Sequence, residues 1–250
     1  MAFVDNDGIR IHYHVEGDGT PLVLQHGLTS DIERWYSHGY VNDLENDYKL
    51  IIVDARGHGK SDKPHSSDQY DGKLMASDVI AVLDQERINK AHYLGYSMGG
   101  SIGFFLAKHF IHRFYSLVIG GMHPYPLGGK TFDEMELMLR NGMESYTSTY
   151  DPPLTGIRLK NMLANDNVAI ISAALGLKER PDLSAVLPAI NIPCMLYVGD
   201  QDSLHEGAEQ CATELEGCSW VSLPGLDHAD AMERGDVIIP HVRNFLSALS

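Results

Sequence analysis

Gly95-Tyr96-Ser97-Met98-Gly99-Gly100 follows a short apolar run at residues 92–94. It precedes a stretch carrying Ile102, Phe104, Phe105, Leu106 and Phe110. Gly-x-Ser-x-Gly between a strand and a helix is the pattern of a nucleophile elbow. The constraint is steric. A serine in so tight a turn takes strained backbone angles, and its Oγ stands clear of the sheet. Positions two before and two after it must be nearly free of side chain, or they collide across the turn. The helix that follows points its N-terminus at the serine and favours negative charge there.

A serine hydroxyl attacks a carbonyl only with a base beside it and a group that orients the base. Thirteen histidines are present. His228 stands out, in the loop Pro224-Gly225-Leu226-Asp227-His228 between the last apolar run, 220–223, and the last helical pattern. His109 and His112 lie at the far end of the helix that starts at the serine, roughly 18 Å or more away. With Lys108 and Arg113 they suit the C-terminal end of that helix. For the orienting acid, Gly199-Asp200-Gln201-Asp202 follows the run 195–198. Asp202 lies further into the loop and can turn toward His228, whereas Asp200 supports the turn. Asp227 adjoins His228 and is read as turn chemistry. Gln25-His26-Gly27-Leu28 leaves the run 22–24; the backbone N–H groups of Leu28 and Met98 would form a two-donor oxyanion hole, with Gly27 supplying the backbone freedom.

These groups need a scaffold that delivers loops to one edge. Ile9, Ile11, Tyr13 and Val15 alternate with Arg10, His12, His14 and Glu16, which predicts a half-buried strand whose histidine face is solvated. Runs at 22–24, 50–53, 92–94, 117–119, 195–198 and 220–223 are short and lack alternation, as in strands buried on both faces of a parallel sheet. Met75, Val79, Val82 and Glu86, and later Ile238, Val242, Phe245 and Leu249, step at helical spacing, with Pro240 expected in the first turn of the last helix. The alternation of strand and helix predicts an α/β fold with a mostly parallel central sheet and flanking helices. Ile119 and Met195 are 76 positions apart, whereas a crossover through one helix takes roughly 30 residues. The excess contains helical stretches at 132–143 and 156–175, with Asp-Pro-Pro at 151–153 as a breaker. A helical insertion at 123–185 is therefore expected between the core segments 1–122 and 186–250. Met122, Met135, Met138, Met143 and Met162 fall in or beside it with Tyr125, Tyr146 and Tyr150, and suit both core packing and an adaptable apolar pocket roof.

Composition excludes several classes. Lys+Arg is 19 against 34 Asp+Glu, a net charge of −15, which repels a phosphate backbone and argues against nucleic-acid partners. Cys194, Cys211 and Cys218 form no Cys-x-x-Cys pair and fit reduced thiols. No leader pattern is visible at the start, and no apolar run approaches the roughly 20 residues that cross a bilayer. The expectation is a soluble, cytoplasmic protein without a membrane partner, acting on a small molecule. Gly59-Lys60-Ser61 resembles the end of a P-loop, but Asp54 stands where its first glycine belongs; no Gly-x-Gly-x-x-Gly follows a strand, and His205-Glu206 meets Glu209 rather than a second histidine. No nucleotide, metal or other cofactor is expected.

Together His26-Gly27, the stretch Asp54-Ala55-Arg56-Gly57-His58-Gly59-Lys60-Ser61, the motif at 95–100, the pair of acids at 199–202 and the loop at 225–228 resemble the α/β-hydrolase family, in its order and over nearly the whole chain. The resemblance implies that Ser97 is the nucleophile, His228 the base, Asp202 its orienter, and that 123–185 is a cap over the pocket. Serine in the elbow argues against the dehalogenase and epoxide-hydrolase branches, which use a carboxylate. The elbow departs from the Gly-Gly-Ser-Trp-Gly of proline iminopeptidases, and His-Gly-Leu from the His-Gly-Gly-Gly esterases. The expected activity is hydrolysis of carboxylic esters through an acyl-serine. Lactones, thioesters, carbon–carbon cleavage and perhydrolysis use the same triad, and a non-catalytic binder on this fold is the reading from another class.

Overall fold

The computed structural model describes residues 2–127, 129–150 and 153–249. Its sheet has eight strands: β1 (Ala2–Asn6), β2 (Ile9–Glu16), β3 (Thr20–Gln25), β4 (Tyr48–Val53), β5 (Ala91–Tyr96), β6 (Phe114–Gly120), β7 (Cys194–Gly199) and β8 (Ser219–Leu223). Their order is β1-β2-β4-β3-β5-β6-β7-β8. β2 pairs antiparallel with β1 and β4; every other pairing is parallel. The helices are α1 (Glu33–Ser37), α2 (Tyr40–Leu44), α3 (Gly72–Gln85), α4 (Met98–Phe110), α5 (Gly129–Arg140), α6 (Met143–Thr147), α7 (Gly156–Leu163), α8 (Asn167–Lys178), α9 (His205–Glu214), α10 (Asp230–Glu233) and α11 (Gly235–Ser247).

Successive residues of the central strands enter opposite cores, which is why their sequences show no alternation. Val23, Ile51 and Tyr93 pack with Met75, Val79 and Val82 of α3 and Ile102 and Phe104 of α4. Leu22, Leu24, Leu50, Ile52 and Leu94 pack with Val41 and Leu44 of α2 and Ile238, Val242 and Leu246 of α11. A third cluster, Leu139, Met143, Leu154, Met162 and Ile170, belongs to the helices between β6 and β7. The chain leaves β3 for β4 on one side, and β5 then inserts on the other. That reversal opens a crevice at the carboxyl ends of β3 and β5, where ligands bind in open α/β sheets.

Several elements differ from the expectations. β1 went unpredicted; it pairs with β2 across Asp7-Gly8, both at positive φ (52° and 83°), as a two-residue hairpin turn requires. The histidine face of β2 is not solvated. His12 is fully buried against Asp54, and His14 Nδ1 meets the Tyr36 hydroxyl at 3.0 Å. β8 is an edge strand, exposed along much of its length rather than buried on both faces. The helical stretch at 156–175 is two helices, because the Asp166 carboxylate accepts the Ala169 N–H and starts α8 afresh. The break expected at 151–153 falls largely outside the described residues. Pro240 sits in the second turn of α11, not the first; it faces solvent, so water can serve the Asp236 carbonyl that its missing N–H leaves open. Arg113 does not cap α4 but donates to the Ile88 and Asn89 carbonyls and to Asp84.

The loop after β4 is tied to α3 by a buried, bidentate ion pair. Arg56 Nε and Nη2 each lie 2.7 Å from an Asp78 oxygen, and the side chains are 2% and 3% exposed. Asn6 Nδ2 also donates to Asp78. Removing one charge of such a pair strands the other. Asp78→Asn is expected to cost about 3 kcal/mol of unfolding free energy in urea titrations, and Arg56→Met combined with Asp78→Leu to recover part of that loss.

Candidate active site

Ser97 joins β5 to α4 at φ 56°, ψ −112°. Its N–H donates to the Gly120 carbonyl at the end of β6 (2.8 Å), and its carbonyl accepts the Ser101 N–H in the first turn of α4 (2.9 Å). A Cβ on Gly95 would lie 2.4 Å from the Gly99 carbonyl oxygen, the expected collision across the turn. The constraint on Gly99 is different: its Cβ would meet the Gln25 carbonyl oxygen of β3 at 2.2 Å. Gly99 therefore lets the elbow seat against the end of β3.

Three sequence-predicted residues meet here. Ser97 Oγ lies 2.9 Å from His228 Nε2, and His228 Nδ1 lies 2.6 Å from Asp202 Oδ2. An ionised carboxylate only accepts, so Nδ1 carries the proton and Nε2 is left to accept the serine O–H. The Asp202 side chain is fully buried, and its Oδ1 accepts the Leu204 N–H at 2.9 Å. Asp200 is exposed; its Oδ1 accepts the Gly225 N–H at 2.8 Å and so shapes the loop that carries His228. Asp227 Oδ1 accepts the Ala229 and Asp230 N–H groups at the start of α10. Tyr96, which sequence reasoning passed over, donates its hydroxyl to the His228 carbonyl at 2.6 Å. An alcohol, an imidazole and a carboxylate bonded in series can take a proton from the alcohol while the ring stays oriented.

Leu28 and Met98 flank the serine. The Met98 N–H is the first of α4 and has no partner within the helix. Gly27 packs directly on the serine, where an added Cβ would lie 3.2 Å from Ser97 Cβ. The loop around Leu28 is held by buried histidines that sequence reasoning assigned no part. His26 donates from Nδ1 to the Gly27 carbonyl (2.7 Å) and accepts the Ala55 N–H at Nε2 (3.1 Å). His58 donates from Nδ1 to the Arg56 carbonyl (3.0 Å) and accepts the N–H of Thr29, itself at φ 62°, at 3.2 Å. Asp54 takes the Ile32 and Lys60 N–H groups and the His12 ring. Burial pushes its carboxyl up, but His12, the nearby His26 and the two amides outweigh that and hold it below the usual range. Complete burial pushes His58 down to about 3, with His26 adding to the effect.

Ser97 and His228 open on a cavity of about 510 Å³. Its lining is mainly apolar: Met122, Met135 and Met162, the rings of Tyr146 and Tyr150, and Leu28 contribute. Met143 lies instead in the small core of the helices between β6 and β7. Arg34 and His123 also line it, and neither stood out in the sequence. Burial and the Arg180 charge lower the pKa of His123.

The model of the alpha/beta hydrolase fold family matches residues 20–170. A non-heme haloperoxidase of Rhodococcus erythropolis is 24% identical, over 99% of this chain and 100% of that protein. The crystal structure of the enol-lactonase from Burkholderia xenovorans LB400 superposes with a TM-score of 0.89 at 22% identity, covering 98% of this chain and 100% of that one. A thermophilic esterase from Thermogutta terrifontis gives 0.82 at 21% identity, covering 99% and 98%.

His58 generates a pH signature. Its folded pKa is depressed, so the unfolded chain binds a proton near pH 6.5 that the folded chain refuses until about pH 3. Its contribution to stability is present above pH 6.5 and is lost as pH falls through that window, by about 1.4 kcal/mol per pH unit. Urea unfolding of His58→Gln between pH 7 and 4 is expected to show a shallower slope than the parent by that amount. The other acid-shifted histidines remain in both proteins, so the difference isolates His58.

Proposed function

The chain belongs to the alpha/beta hydrolase fold family, and from that premise we propose that it cleaves carboxylic esters of small, mainly apolar substrates through an acyl-Ser97 intermediate. One observation carries the reading: the unbroken series Ser97 Oγ, His228 and Asp202 at the wall of the cavity. In this reading Ser97 Oγ attacks the ester carbonyl carbon as His228 Nε2 takes its proton. The tetrahedral oxyanion is received by the Leu28 and Met98 N–H groups, which act with no reorganisation. Collapse breaks the bond to the leaving oxygen, and His228 returns the proton to the departing alcohol. Water, deprotonated by the same ring, then attacks the acyl-serine; the acid leaves and Ser97 regains its hydrogen. Asp202 holds the ring and offsets its charge while it is protonated.

The segment 123–185 acts as a cap over the pocket, a role supported by its own small core and by Met135, Tyr146 and Met162 on the cavity side. A serine at the elbow supports acyl transfer over the alkyl-ester chemistry of a carboxylate nucleophile. Lactones undergo the same steps with the alcohol tethered. The described cysteines are free, which supports a cytoplasmic setting, and among the described residues no helix is long and apolar enough to cross a membrane.

Ser97→Ala is expected to keep the fold and lower turnover of p-nitrophenyl butyrate by roughly 10³-fold or more, with His228→Ala costing about as much because the two act as a unit. Asp202→Asn is expected to be far more damaging than Asp200→Asn, since an amide oxygen at 200 still accepts the Gly225 N–H. A serine-directed phosphonate should label the parent and not Ser97→Ala. A folded, fully active Ser97→Ala protein ends the reading, and an unlabelled parent favours a non-catalytic binder.

A further inference from the structure

Three segments distant in sequence bring two cations and one anion together beside the cavity, whose wall Arg34 joins. Arg34 comes from α1, Arg158 from α7 between β6 and β7, and Glu233 from α10. Arg34 Nη2 lies 2.9 Å and Arg158 Nη2 2.7 Å from the same oxygen, Glu233 Oε1. Two guanidinium groups share one carboxylate, which leaves an unmatched positive charge. All three side chains are largely buried, at 17%, 28% and 22% exposure. Among the described residues lining the cavity with Ser97, Arg34 is the one permanently charged side chain. Arg158 lies over the Tyr150 ring, 5.2 Å from its centroid, and Tyr150 lines the same cavity. Arg158 Nε is buried and, among the described residues, without a hydrogen-bond partner.

A half-buried guanidinium that faces an apolar cavity and shares its counter-ion is costly unless an anion completes it. Burial, with the neighbouring Arg158 opposing the pull of Glu233, already lowers the Arg34 pKa. Other acids lie nearby without relieving this. Asp31 and Glu33 line an adjoining pocket with Arg158, which shares Arg34, Thr29, Ser30 and Met162 with the cavity, and neither acid is ion-paired to either arginine among the described residues. Asp230 is exposed. Each guanidinium has five N–H donors, and only one from each is spent on Glu233.

We propose that Arg34 and Arg158 form an anion subsite, and that the ester substrate carries a carboxylate which binds there while its carbonyl lies at Ser97. The substrate is then an apolar chain with two functional ends: a neutral ester or lactone carbonyl for the serine, and a carboxylate for the arginines. Arg158 arrives from the segment over the pocket and Arg34 from the core beneath, so such a substrate joins the two. The inference rests on the hydrolase reading for its kinetic arm and on binding alone for its other arm.

The test compares p-nitrophenyl hydrogen adipate with p-nitrophenyl methyl adipate, which differ only in the terminal charge. The readout is the ratio of their kcat/KM values in the parent, Arg34→Gln and Arg158→Gln. Charge-assisted hydrogen bonds to a partly buried site are strong enough for a parental ratio of about tenfold or more in favour of the acid. Either substitution should lower that ratio by about tenfold. Damage to the fold alone would depress both substrates and leave the ratio unchanged. Adipate itself, followed by calorimetry on Ser97→Ala, should bind, and the added Arg34→Gln or Arg158→Gln change should abolish the heat. A parental ratio at or below one, or a ratio unchanged in both variants, overturns the subsite even where Ser97-dependent hydrolysis persists. If neither ester is turned over, the hydrolase reading fails, and the adipate titration decides the subsite by itself.

Discussion

The structure depends on one strained backbone position. Ser97 holds φ 56° and ψ −112°, a conformation that a residue with a side chain enters at a cost of about 1–3 kcal/mol and keeps only when its surroundings dictate it. Here they do. Its N–H is bonded to the end of β6, its carbonyl is bonded into α4, and the glycines at 95 and 99 let both limbs of the turn close. The strain has a geometric consequence. A residue continuing the strand would point its side chain at one face of the sheet, whereas here Oγ reaches Nε2 of His228, 131 positions later in the chain.

The loop facing that serine is governed by polar burial rather than by apolar packing. His12, His26, His58 and Asp54 are all buried, and each has its ring or carboxylate bonded to backbone or to another member of the group. Among the described residues only His12 Nε2 of this group lacks a partner, and a network so nearly satisfied fixes one arrangement, because the alternatives leave more buried donors or acceptors unpaired. It holds Thr29 at positive φ and presents Gly27 to Ser97. Substitution at His58 therefore reaches the serine through the backbone of residues 27–29, not through any contact with it.

Much of the scaffold, and the meeting of Ser97, His228 and Asp202, was legible in the sequence, for local reasons. Short apolar runs mark strands buried on both faces, and a serine between spaced glycines marks the elbow. Asp202 could be preferred to Asp200 because two more residues of loop let it turn back under His228. The parts that escaped depend on distant contacts. Alternation along β2 implied a solvated face, but Ser61 and Asp62 return from the loop after β4 and bond to the backbones of His12 and Arg10. That return covers the face and turns two expected surface histidines inward. Asp7-Gly8 did carry a hairpin signal, and β1 could have been read from it. Arg34, His123 and Arg158 carry no local pattern at all; Arg34 and His123 meet only when distant segments close around the cavity, and Arg158 joins Arg34 only through Glu233.

The charge distribution sharpens what such a cavity can select. The net charge of −15 repels an approaching anion at long range. At physiological ionic strength that field fades over about 8 Å, whereas a pair of partly buried guanidinium groups is screened far less. In the proposed subsite, affinity for a carboxylate is set by two arginines that share one carboxylate, and the surface contributes a slower encounter. The same contrast disfavours a polyanion, whose remaining charges would stay at the repelling surface when one of them reached the arginines. A single carboxylate on an apolar chain escapes that penalty in the proposed subsite, since its body would lie against methionine and tyrosine side chains and its one charge against two guanidinium groups that share one carboxylate.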